Sequence, residues 1–164
     1  MGRRRKAVAF VIGIPLILLG VLWSVNYVRG MENEPPKDPA KSVLEQYGSI
    51  HKALAADSMA GVPESAKNIA TAIRKDAGKS IPLAIAEIAD TLARAQDLKA
   101  ARRAFKPLSA SLISWLEENK VEASGYQEAY CPMVDANWLQ MEEEIINPYL
   151  GKRMLNCGEF DRRF

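Results

Sequence analysis

The chain's two cysteines, Cys131 and Cys157, each have a methionine close by, as Cys131-Pro-Met133 and Met154-x-x-Cys157. Thiolates and thioethers are soft donors, and together they select soft ions such as Cu(I) or Ag(I) over hard or borderline ones. The segment 130–157, YCPMVDANWLQMEEEIINPYLGKRMLNC, therefore holds nearly all the chemistry this sequence offers. The expected metal ligands are Cys131 and Cys157 as thiolates, then Met133 and Met154 as thioethers. His51 and Met141 are weaker candidates. Neutral imidazole suits copper, but His51 sits beside an apolar helical stripe, where a hydrogen bond within the fold explains it as well.

A disulfide between Cys131 and Cys157 is the competing reading. It would close a loop of about 25 residues and stabilise the fold by about 3 kcal/mol in the chain-entropy picture. The methionines favour the metal, because a disulfide has no use for C-x-M and M-x-x-C at its two ends. Each methionine alone is a weak signal, since Met also fills cores. Met133 follows a proline in a loop, an unusual place for core packing. Met154 could lie on a short final turn with Leu150 and Leu155, where packing would account for it.

The elements that must position these residues read as helices. Apolar residues recur at spacings of three and four in four stretches. They are Val43, Tyr47, Ile50 and Leu54; Val62, Ala66, Ile69 and Ile73; Ile81, Ile85, Ile88 and Leu92; and Leu98, Phe105, Leu108, Leu112 and Trp115. One apolar stripe per helix follows. Pro63 and Pro82 fall where a first helical turn tolerates them, Asp97 is a plausible N-cap, and Pro107 lies inside the fourth stretch. Alternation of period two is nowhere sustained, so strands are not expected. The sequence predicts an all-α fold: an up-down antiparallel four-helix bundle with an irregular Cys/Met segment packed on it.

Ahead of this domain, residues 7–28 form an uncharged run of 22, long enough to cross a hydrocarbon core of about 30 Å. Arg3, Arg4, Arg5 and Lys6 precede it and predict a cytoplasmic N-terminus over residues 1–6. The expectation is a single-pass inner-membrane anchor at 7–28 and a Pro-rich linker at 29–39. A helical-bundle domain at 40–164 would then lie in the periplasm. A cleaved signal peptide is the alternative, although its apolar region is normally about 7–15 residues. Either way the domain faces an oxidising compartment.

Composition excludes several classes. The formal charge is +2, and setting aside the four basic residues before the apolar run leaves 18 basic against 20 acidic residues. Nucleic acid is therefore not an expected partner. With a single histidine, His51, no Ser-His-Asp set is available, and no glycine-rich phosphate loop is present. No C-x-x-C-H haem attachment motif occurs either. A binder rather than an enzyme is expected.

The strings Y-C-P-M (130–133), W-L-Q (138–140), E-I-I-N-P-Y (144–149) and G-K-R-M-L-N-C-G-E (151–159) make a recognisable pattern. The chain resembles a bacterial domain of unknown function. That domain occurs alone behind an export signal, and also fused to periplasmic adaptor subunits of heavy-metal RND efflux systems. Every fixed element of the family's C-P-M … W-L … N-P-Y-x-G-x-x-M-x-x-C-G pattern is present. Tyr47, Leu54, Asp57, Ala101, Arg102, Phe105, Leu108, Ser109 and Leu112 match it more loosely upstream. The resemblance implies a metal-efflux neighbourhood, with efflux components as partners.

Overall fold

A computed structural model describes residues 38–123 and 125–164. The expected anchor at 7–28 and nearly all of the linker lie outside the described residues. Among the described residues, no helix is long and apolar enough to cross a membrane.

Four helices form where the apolar spacing places them: α1 (Pro39–Ala55), α2 (Val62–Lys75), α3 (Leu83–Ala93) and α4 (Leu98–Glu118). Asp38 caps α1 by accepting from the Ala40 N–H, and Asp97 caps α4 by accepting from the Ala100 N–H at 2.7 Å. Both supply an acceptor for N–H groups that a helix start leaves unpaired. Val43, Tyr47, Ile50 and Leu54 of α1 are fully buried, as are Ala66, Ile69 and Ala70 of α2 and Phe105, Leu108 and Leu112 of α4. The Tyr47 and Phe105 rings stack with centroids 4.9 Å apart and join α1 to α4.

The C-terminal region corrects the all-α expectation. Residues 127–163 contain a three-stranded antiparallel sheet rather than an irregular segment on a four-helix bundle. Its strands are β1 (Gln127–Cys131), β2 (Ala136–Gln140) and β3 (Glu159–Arg163), in the order β2-β1-β3. The fold is therefore α+β. Period-two alternation is missing because β1 and β2 are buried almost continuously, whereas β3 is exposed throughout. A strand covered on both faces, like one exposed on both, carries no alternating pattern.

Pro132, Met133, Val134 and Asp135 make the β1–β2 turn, with Asp135 at φ 47°. β2 lies against α4, and Trp138, in its middle, is completely buried. The Leu139 backbone N–H donates to the Tyr47 hydroxyl at 3.1 Å, which ties the sheet to α1. β3 is held by Arg162, whose Nε donates at 2.6 Å to the buried Glu128 carboxylate and whose Nη1 pairs with Glu117 of α4.

Candidate functional site

The sheet register brings the cysteines together. Cys131 ends β1, and Tyr130 pairs with Glu159 of β3. One further antiparallel step sets Cys131 beside Gly158 and Cys157. The two Sγ atoms lie 3.0 Å apart, with both cysteines recorded as free thiols. Cys131 is fully buried and Cys157 half-buried. Gly158 makes the approach possible. Its φ is 143°, and a Cβ there would fall 2.8 Å from the Trp138 ring and 2.9 Å from the Tyr130 carbonyl oxygen.

Asn147 organises the Cys157 loop. Its Nδ2 donates to the Cys157 carbonyl at 2.6 Å, and its Oδ1 accepts from the Tyr149 and Leu150 N–H groups at 2.8 and 2.9 Å. Around it, Arg102 of α4 donates to the Pro148 carbonyl, the Leu54 carbonyl and the Asp57 carboxylate. Asp57 in turn accepts from the Lys152 N–H at 3.2 Å. The Tyr149 hydroxyl donates to the Asn137 carbonyl at 2.7 Å. The N-P-Y-x-G residues thus hold the Cys157 loop onto α1 and α4.

The electrostatics of the pair are asymmetric. Burial pushes the Cys131 thiol up. The Cys157 S–H, the Val134 and Met133 backbone N–H groups and the Asn147 side chain outweigh that and bring it below the ordinary thiol range. Cys157 is pushed up, first by its hydrogen bond with Cys131 and then by burial. Hydrogen bonds to a thiolate favour the charged form, and the thiolate is the metal ligand and the nucleophile.

Met133 lies in the β1–β2 turn and is 64 % exposed; Met154, just after the short 3-10 turn Gly151–Arg153, is 38 % exposed. Neither belongs to the apolar core, so core packing accounts for neither. His51 and Met141 stand elsewhere: they share a 230 Å³ cavity with Glu142, and neither cysteine lines it. Among the described residues, no group of three or more His, Cys, Asp and Glu converges on a point. Neither Glu142 nor Asn147 is marked as a site residue by its place in the sequence. A string such as N-P-Y carries no mark of which carbonyl its carboxamide will meet.

His51 provides a pH readout of this packing. Burial pulls its imidazole below the ordinary histidine value, against the Ile146 carbonyl and the Glu142 carboxylate, which act the other way, and alongside Lys52. Below about pH 6.5 the unfolded chain therefore takes up a proton that the folded chain refuses. Stability contributed by neutral His51 is complete above that value and falls as the pH drops through it. The denaturant midpoint should decline between about pH 7 and 5.5, before carboxylate protonation sets in, and the decline should vanish in His51→Gln. An equal decline in both proteins would remove His51 as its source.

Comparison with protein-family models, with curated proteins and with solved structures finds no match to this chain.

Proposed function

We propose that the chain is a membrane-anchored, periplasmic soft-metal-binding module that takes Cu(I) or Ag(I) and acts in metal handling or efflux. The observation that carries it is the convergence of Cys131 and Cys157, 26 residues apart in the chain but one step apart across the sheet. Two further facts support it. Met133 and Met154 lie in the turns that carry the cysteines and are left outside the core. The Cys131 thiol is biased toward thiolate by its hydrogen bonds. The resemblance of segment 130–159 to the efflux-associated domain supports the cellular role, the efflux partners and the periplasmic location. The uncharged run at 7–28 supports the anchor.

The donor set fits such an ion after a small adjustment. Two thiolates about 2.3 Å from one ion and tetrahedrally disposed lie about 3.8 Å apart. The pair at 3.0 Å must open by under about 1 Å. Cys157, half-buried in a loop, is the one able to move. When bound, the ion would be held as cargo by Cys131 and Cys157, with Met133 and Met154 as thioether donors.

One observation favours a second reading. The 3.0 Å contact is also under about 1 Å from the bonded sulfur separation of about 2.05 Å, and Cys131 is fully buried. A disulfide-closed adaptor or interaction domain with no metal would use the same geometry.

Anaerobic titration of the full chain with Cu(I) against a competing chelator tests the assignment. Cys131→Ser combined with Cys157→Ser should weaken binding by roughly 100-fold, and Met133→Leu combined with Met154→Leu by roughly 10-fold. Undiminished binding in the cysteine variant would sink the metal reading. Thiol labelling and intact mass of protein isolated from its compartment decide the second: a quantitative loss of two protons with no labelling establishes the disulfide.

A further inference from the structure

The two sulfurs differ in how far they can move and in what can reach them. Cys131 is fully buried and lies in the β1–β2 ladder opposite Ala136. The turn after it is pinned by Lys106 of α4, whose Nζ donates to the Val134 carbonyl at 3.0 Å. Cys157 is half-buried in the loop between the 3-10 turn and β3. Its N–H donates to the Met154 carbonyl, and its carbonyl accepts from Asn147 Nδ2. An ion arriving from solvent therefore meets the Cys157 sulfur before that of Cys131.

From 3.0 Å, closing to the bonded separation of about 2.05 Å takes a movement of under about 1 Å. Cys157 can supply that movement while the ladder keeps Cys131 in place. A sulfur that has given an electron to a bound oxidant, with a second thiol already in reach, is trapped as a disulfide within the same chain. Thioethers lie in the same two turns. Met133, 64 % exposed, stands two residues after Cys131, and Met154, 38 % exposed, three residues before Cys157. Thioethers prefer Cu(I) to Cu(II), so they favour the reduced ion and remain able to hold it once the thiols are consumed.

We propose that the cysteine pair is a two-electron reductant for Cu(II), converting it to the Cu(I) that the site holds. Resting on the soft-metal function proposed for the same site, this activity makes dithiol and disulfide successive states of one molecule. Cys157 loses its proton as it binds a first Cu(II), and one electron passes from sulfur to the ion. Cys131 loses its proton and closes the S–S bond on that sulfur, and the second electron passes to a second Cu(II). Two S–H bonds break, one S–S bond forms, two protons leave to solvent, and two Cu(II) become two Cu(I). The reaction is stoichiometric in the chain.

The test adds Cu(II) to the full chain with oxygen excluded, follows the Cu(II) electron paramagnetic resonance signal, and counts thiols by alkylation and intact mass. Two equivalents of Cu(II) per chain should lose their signal as both thiols are lost, at a rate first-order in protein. Cys157→Ser leaves only the buried thiol, and reduction should nearly stop. Cys131→Ser leaves the accessible thiol, which should reduce no more than one equivalent. Its rate should be second-order in protein, because its disulfide must form between chains. In denaturant, where burial is lost, the two variants should behave alike. Met133→Leu with Met154→Leu should keep the stoichiometry and slow the reaction several-fold. If Cys131→Ser does not fold, the kinetic order of the unaltered chain and the behaviour of Cys157→Ser still decide the matter. A Cu(II) signal that persists, or equal rates in the two folded single variants, overturns the proposal. Cu(I) binding without Cu(II) reduction would sink this activity and leave the binding function standing; reduction without Cu(I) binding would do the reverse.

Discussion

Asn147→Ala is expected to destabilise the domain by about 4 kcal/mol, the largest effect of any single polar substitution discussed. The side chain is wholly buried. Removing it leaves the Tyr149 and Leu150 N–H groups and the Cys157 carbonyl without their partners. An unsatisfied buried backbone group costs about 1–3 kcal/mol, and water admitted to the vacated space recovers part of the total. The same change frees the loop carrying Cys157, so that thiol should become reactive toward alkylating agents well before global unfolding. Asn147→Asp separates the two contributions. It keeps the acceptor for Tyr149 and Leu150 but turns an acidic oxygen toward the Cys157 carbonyl, so the Cys157 loop should open while the turn survives. Equilibrium denaturation and the rate of thiol labelling measure the two effects. A loss under about 1 kcal/mol with unchanged labelling would show that the carboxamide is not what holds the loop.

Gly158→Ala should cost about 3 kcal/mol and separate the sulfurs. The backbone there has φ 143°, a conformation an L side chain rarely adopts, and the new methyl would press on the Trp138 ring and the Tyr130 carbonyl. Neither neighbour can yield cheaply. Trp138 is fully buried and its Nε1 donates to Gln140 Oε1 at 2.8 Å, while Tyr130 is fixed in the ladder opposite Glu159. Relief must come from β3, an edge strand that is exposed along its whole length. Its displacement carries Cys157 away from Cys131. The variant should therefore combine a lowered denaturant midpoint with loss of either shared Cu(I) binding or disulfide formation. Gly151→Ala is the instructive comparison. Its φ is also positive, but its added methyl meets the ends of the Asp57 and Arg102 side chains, which can swing aside. It should weaken the clamp on Pro148 and Lys152 and spare the cysteine pair. Retention of the pair in Gly158→Ala would mean that β3 does not position Cys157.

How far each part could be read from the chain depends on the range of the forces that fix it. The helices rest on interactions three and four residues apart, so Val43, Tyr47, Ile50 and Leu54, or Phe105, Leu108 and Leu112, announce a buried stripe by spacing alone. Capping by Asp97 is equally local. The strands are not local in this sense. β1 pairs with β3 across some thirty residues, and its burial on both faces erases the alternation by which a half-buried strand is recognised. The stretch therefore carries no periodic mark of a strand.

The site divides along the same line. Residue types by themselves determined that Cys131, Cys157, Met133 and Met154 are soft donors, and that His51 is the single imidazole. Only the tertiary structure decided which of them meet. Antiparallel pairing of β1 with β3, permitted by the missing side chain of Gly158, brings the sulfurs to 3.0 Å. The Ile146 carbonyl turns His51 away from them and toward Glu142. A donor's chemistry is fixed by its own atoms, whereas its partners are chosen by hydrogen bonds and packing between segments far apart in the chain.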